Sequence, residues 1–155
     1  MKIKFLGTAA AEGIPALYCQ CDICKDAWIH KGKNIRTRAQ ALIDDKILID
    51  FGPDTYAHVL QYEVPLDTIH HVLITHKHSD HFYPADLLFR RPGYASKVEE
   101  EPLHVYGCEP ALYYGSSRSC KAAEKYLPGI CQFAGCRCRS RKEYYVYSKS
   151  GSRAF

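Results

Sequence analysis

The sequence predicts an α/β (α+β) layered domain, on three observations. Short apolar runs at residues 3–6, 39–43, 46–50, 69–75 and 103–106 have the length and residue types of buried strands. Segments compatible with helices lie between them, near residues 26–31, 54–62 and 84–91, and such alternation is the pattern of layered folds. The chain has 155 residues, 46% hydrophobic and 25% charged, enough for one domain with its own core.

The elements follow in order. The strand from Ile3 to Leu6 opens into Gly7-Thr8-Ala9-Ala10-Ala11-Glu12-Gly13, a small-residue loop that reads as a turn, or as backbone approaching a neighbour closely. The runs 39–43 and 46–50 flank Asp44-Asp45 and read as a hairpin. Phe51-Gly52-Pro53-Asp54 ends the second strand, and Asp54 is placed to cap a helix to about Tyr62. The strand from Ile69 to Thr75 runs straight into a histidine cluster. Pro84, tolerated in a first helical turn, then starts a helix to about Arg91. Residues 1–114 thus form the organised part. The segment 115–155 is atypical, crowded with Cys, Arg and Ser between Cys131 and Lys142, with one further strand expected near Tyr144.

A net charge of +4 permits an anionic substrate but is no nucleic-acid footprint. No apolar run approaches the ~18 residues of a membrane span, so no membrane partner is expected. The N-terminus carries no export signal, which makes the cytoplasm the expected compartment. Thiols stay reduced there, so the eight cysteines are read first as metal ligands or free thiols.

The strongest chemical feature is Thr75-His76-Lys77-His78-Ser79-Asp80-His81. Three imidazoles and a carboxylate within residues 76–81 are costly as plain core and match the donor preference of zinc and related divalent metals. The spacing lets His76 and His78 reach one metal while Asp80 and His81 reach a second. Cys19, Cys21 and Cys24 are close enough to share one soft, tetrahedral ion. Its fourth ligand is open: His30, Cys131, Cys136 or Cys138. Arg36 and Arg38 could hold an anionic group, although simple surface charge explains them as well. His58, His70, His71 and His104 lie on predicted helix or strands and read as structural.

His-x-His-x-Asp-His after an apolar strand resembles the hallmark of the metallo-β-lactamase superfamily, and Asp50-Phe51-Gly52 resembles its upstream acidic motif. Gly7 to Pro15, followed by Cys19-Gln20-Cys21-Asp22-Ile23-Cys24 and Arg36-Thr37-Arg38, is similar to the branch of the phosphoribosyl cyclic phosphodiesterases and the pyrroloquinoline-quinone biosynthesis proteins B. The resemblance covers roughly residues 1 to 110. It implies the N-terminal half of a four-layer αββα sandwich and a metal-dependent hydrolase of the phosphoric diester class. It further implies two catalytic zinc ions, with manganese as the alternative, held through His76, His78, Asp80 and His81. Asp50 would support that loop, Asp80 would also help orient the nucleophile, and a structural zinc would sit at Cys19, Cys21 and Cys24.

The family's site also draws a distal histidine, a bridging aspartate and a final histidine from its second half. This chain has no Asp after Asp86 and only His104 after His81. The expectation is therefore a chain truncated or out of frame after about residue 114, with an apolar sheet face left uncovered and prone to association. Glu109, Glu124 or Glu143 could substitute in principle. The leading function is a phosphodiesterase-like hydrolase acting on a small phosphoester, with nucleic acid the less favoured substrate and a homodimer compatible with the reading. The alternatives are an inactive metal-binding half-domain, a ribonuclease Z-like nuclease and a quinone-biosynthesis protein.

Overall fold

The computed structural model describes residues 1–90, 93–96 and 102–108, and the backbone of 131–135. Its strands are β1 (Ile3–Gly7), β2 (Gln40–Ile43), β3 (Ile47–Ile49), β4 (His71–Ile74), β5 (Leu103–Gly107) and β6 (Cys131–Gly135). Two α-helices, α1 (Asp22–His30) and α2 (Thr55–Tyr62), and two 3-10 helices, Gly32–Asn34 and Pro84–Phe89, accompany them among the described residues. The strands form one mixed sheet in sequence order. β1, β2 and β3 pair antiparallel, and β3 to β6 pair parallel.

Alternation along the strands decides which face is core. Leu6, Leu42, Leu48, Val72, Ile74, Leu103 and Val105 are buried together, with Val59 and Tyr62 of α2 and the nearby Leu66 packed against that cluster. The strand register puts Ile3, Phe5, Ala41, Ile43, Ile47, Ile49 and Leu73 on the opposite face. There Phe5 is 71% exposed, Ile3 46% and Leu73 40%, so this apolar face is open among the described residues.

The hairpin between β2 and β3 forms as expected. Asp44 and Asp45 both take left-handed backbone, at φ of 49° and 55°, a geometry that short polar side chains tolerate in tight turns. Other expectations need correction. The first helix begins at Asp22 and ends at His30, so it starts inside the cysteine motif. The run after Pro84 is a 3-10 helix ending at Phe89 rather than an α-helix to Arg91. Asp54 stands at the start of α2 but makes no side-chain cap, because its carboxylate is taken by Arg38.

The strand Cys131–Gly135, which composition did not announce, extends the sheet beside β5. The expectations for Cys136, Cys138, Glu109, Glu124, Glu143 and the strand near Tyr144 lie outside the described residues. Among the described residues, no helix is long and apolar enough to cross a membrane.

Candidate metal centres

The histidine loop leaves β4 at its C-terminal end, beside the end of β3, and three contacts pin it there. Phe51 N–H donates to the His81 carbonyl at 2.8 Å, and Tyr83 N–H donates to the Phe51 carbonyl at 2.6 Å. Behind them Phe82 is completely buried, anchoring the loop in the core. Gly52 lies so close to the loop that a Cβ there would stand 2.1 Å from the Asp80 carbonyl oxygen. The glycine of Asp50-Phe51-Gly52 is thus required by close approach.

Asp50 itself has φ of 64°, a left-handed backbone unusual for a residue with a side chain. From there its buried carboxylate reaches into the loop. Oδ1 accepts from Thr75 N–H at 2.8 Å, and the Thr75 hydroxyl lies 2.9 Å from both carboxylate oxygens. His81 Nδ1 meets Oδ2 at 2.6 Å. A carboxylate only accepts, so Nδ1 carries a proton, and Nε2 is the ring nitrogen that the neutral imidazole would offer to a metal. Nε2 lies 3.3 Å from Asp80 Oδ2.

The His76 ring packs beside His81 and His78, with centroids 4.0 and 4.7 Å apart. Three imidazoles and a carboxylate are therefore gathered in one loop, with one imidazole oriented by a carboxylate behind it. That donor set fits a borderline divalent cation, and the Asp50–His81 pair is the kind of outer support that fixes a ligand's tautomer.

The cysteine motif forms a second centre. The Sγ atoms of Cys19, Cys21 and Cys24 lie within 4.8 Å of one another. Among the described residues this is the group of three such side chains whose donor atoms converge closely enough for one ion. Cys24 is buried and accepts from Ala16 N–H at 3.4 Å. The backbone N–H of Cys24, and then the Cys19 thiol, hold Cys21 below the ordinary thiol value. At Cys24 the Ala16 amide pulls the same way, but burial and the thiols of Cys19 and Cys21 outweigh it and leave that thiol above the ordinary value. Three crowded thiols with one favoured as thiolate suit a soft cation. His30, a candidate for the fourth ligand, instead pairs with Asp26 at 2.9 Å.

The two arginines separate. Arg38 lies against Asp54 at 2.7 Å and donates to the Ala11 carbonyl at 2.8 Å, tying the loop after β1 to the start of α2. Arg36 is exposed, its guanidinium 3.5 Å from the Thr8 hydroxyl. Of the pair, Arg36 is the one presented to solvent. Sequence reasoning missed Gln40 and read His58 only as structural; both are buried beneath Asp50. A glutamine and a histidine at helix or strand positions carry no spacing signal, and only their partners reveal them.

The family model of the metallo-beta-lactamase superfamily matches residues 42–118. A curated octanoyltransferase of Porphyromonas gingivalis (strain ATCC BAA-308 / W83) is 34% identical over 83 residues, 52% of this chain and 16% of that protein. Among solved structures, a diphosphatase of the PhnP family superposes with a TM-score of 0.62 at 21% identity, covering 87% of this chain and 50% of its own. Zn(2+)-bound PqqB from Methylobacterium extorquens gives 0.64 at 24%, covering 86% and 45%. The short form of human tRNase Z gives 0.53 at 20%, covering 87% and 44%. At these identities the likeness is one of fold. The chain spans about half the length of these solved chains and 16% of the curated relative.

Proposed function

The chain belongs to the metallo-beta-lactamase superfamily, and from that premise we propose that it carries the metal-binding half of a phosphodiesterase-like hydrolase. The observation that supports this reading is the 2.6 Å contact between His81 Nδ1 and Asp50 Oδ2, which orients a histidine inside a His-x-His-x-Asp-His loop. His76, His78, Asp80 and His81 would hold divalent ions, zinc or manganese. Such ions, when bound, supply Lewis-acid activation of water and of a phosphoryl oxygen.

The chain's own residues have definable parts in that chemistry. Asp50 and Thr75 hold the loop, and Asp50 keeps the His81 proton on Nδ1. Asp80, beside His81 Nε2, presents a carboxylate able to orient a water molecule. Arg36, exposed near the small-residue loop, is available to an anionic substrate. A small phosphoester is the substrate class that the branch resemblance favours, and the solved PhnP-family diphosphatase is consistent with it.

A second reading has its own support. Convergence of donor atoms is met by the cysteines rather than the histidine loop, which favours a metal-binding half-domain without turnover. Metal content per chain, measured with hydrolysis of bis(4-nitrophenyl) phosphate in zinc and in manganese, separates the two. Turnover abolished by His76→Ala supports the hydrolase. One tightly held zinc, lost on Cys-to-Ser substitution and without turnover, supports the half-domain and overturns the hydrolase for this chain.

A further inference from the structure

Beneath Asp50 lies a buried polar chain whose hydrogen-bond directions are forced as far as His58 Nδ1. The Asp50 carbonyl can only accept, so the Gln40 amide that meets it at 2.9 Å must present its NH2 end. The same NH2 group reaches Thr55 Oγ1 at 2.9 Å, and that hydroxyl donates onward to the Gly52 carbonyl at 2.7 Å. Gln40 Oε1 is thereby turned toward His58 Nδ1, 2.5 Å away, so Nδ1 is the protonated nitrogen. His58 Nε2 lies 2.7 Å from Thr37 Oγ1, a closer partner for that hydroxyl's single proton than the Leu6 carbonyl at 3.4 Å. The Thr37 carbonyl in turn receives the N–H groups of Thr8 and Ala9, at 3.0 and 2.9 Å. His58 is 1% exposed and Gln40 5%, so solvent is a poor replacement for these bonds.

The network ends on the two residues whose backbones the histidine loop requires. The Asp50 carbonyl belongs to a residue held in left-handed backbone, and the Gly52 carbonyl to the glycine lying against Asp80. Left-handed backbone at a non-glycine residue is disfavoured and persists where its surroundings enforce it. Gln40 supplies an enforcing contact, and His58 fixes which way Gln40 faces.

We propose that Gln40 and His58 are positioning residues for the metal loop, holding Asp50 in the backbone conformation from which its carboxylate sets the His81 tautomer. The proposal rests on the metal reading of that loop, and the experiment keeps the two apart. The side chains of the 155-residue chain labelled with 15N-histidine are followed by NMR without added metal, and Co(II) is then titrated.

In the wild-type chain His81 shows a single Nδ1–H tautomer. In His58→Leu, which keeps bulk and removes the donor, His81 is expected to lose that fixed tautomer. Co(II) affinity at the loop should fall 10- to 100-fold, with thiolate-to-cobalt absorption from the cysteine centre unchanged. His58→Gln, which restores an N–H donor, should recover most of both signals. Should His58→Leu fail to fold, Gln40→Asn decides, because it keeps the amide one methylene short of the Asp50 carbonyl. A folded variant with His81 unaltered overturns the positioning role, even if cobalt binds normally. A fixed His81 in the wild type with no cobalt uptake at the loop overturns the metal reading and leaves the positioning role standing.

Discussion

Gly52 and Asp80 are in backbone contact, with the space for a Gly52 Cβ already occupied by the Asp80 carbonyl at 2.1 Å. A glycine is thus the reason that the end of β3 and the histidine loop can be zipped together. Gly52→Ala should push the loop off its seat. Overpacking of this kind costs about 1–3 kcal/mol. A lower melting temperature, with weaker Co(II) binding at the loop and the cysteine centre unaffected, is the expected outcome. An alanine variant with unchanged melting would mean that the loop gives way freely.

Asp50→Asn tests the carboxylate itself. The asparagine carbonyl can still accept from Thr75, but its NH2 then faces His81 Nδ1–H, donor against donor. His81 must change tautomer or turn its ring. Metal affinity at the loop is expected to drop by about 10- to 100-fold, the usual cost of losing an outer-shell partner. Isothermal titration with Zn(II), on a background with the three cysteines replaced by serine, measures it without interference.

How much of this was legible beforehand follows from how local each signal is. The strands could be read because apolar runs such as Ala41-Leu42-Ile43 and Ile47-Leu48-Ile49 are local patterns. The metal loop could be read because its ligands are neighbours in sequence. Asp54 shows the limit. It has the right residue type and place for a helix cap, yet Arg38, sixteen positions away, takes its carboxylate. Gln40, and the link from His58 to it, stayed hidden for the same reason, since their partners come from other elements. The Pro84 segment has a valid helix start, but a start signal does not specify whether i→i+3 or i→i+4 bonding follows.

The cysteine centre makes a stoichiometric prediction. Purified from zinc-containing medium, the chain should hold about one tightly bound zinc per three converging thiolates. Replacing Cys21 alone should release it, since only two of the three converging thiols would remain. Inductively coupled plasma mass spectrometry reads the content directly. Retention of full zinc in Cys21→Ser would place the ion elsewhere.

The open sheet face predicts association. Phe5, Ile3 and Leu73 lie on one surface that no described element covers. Contiguous apolar area of this kind drives contacts between molecules. Sedimentation velocity over a range of concentrations should show a concentration-dependent oligomer, shifted toward monomer by Phe5→Lys with Leu73→Lys. A wild-type chain that stays monomeric throughout would contradict the exposure of this face.

His58 predicts a pH dependence of stability. Burial lowers its pKa below the ordinary 6.5, and the nearby Asp54 carboxylate offsets only part of that shift. The sign follows from which state binds the proton first. As pH falls past about 6.5, the unfolded chain takes up a proton on this histidine that the folded chain still refuses. The contribution is therefore fully present above that value and is lost as pH falls through the depressed folded pKa. Protonation would also put an N–H at Nε2, turning the Thr37 hydroxyl from His58 to the Leu6 carbonyl, 3.4 Å away. Melting curves between about pH 7.5 and 5.5, where carboxylates of ordinary pKa remain largely ionised, should show the wild type losing stability more steeply than His58→Gln. Parallel curves for the two proteins would mean that His58 titrates alike in the folded and unfolded chain, and that the buried network tolerates its charge.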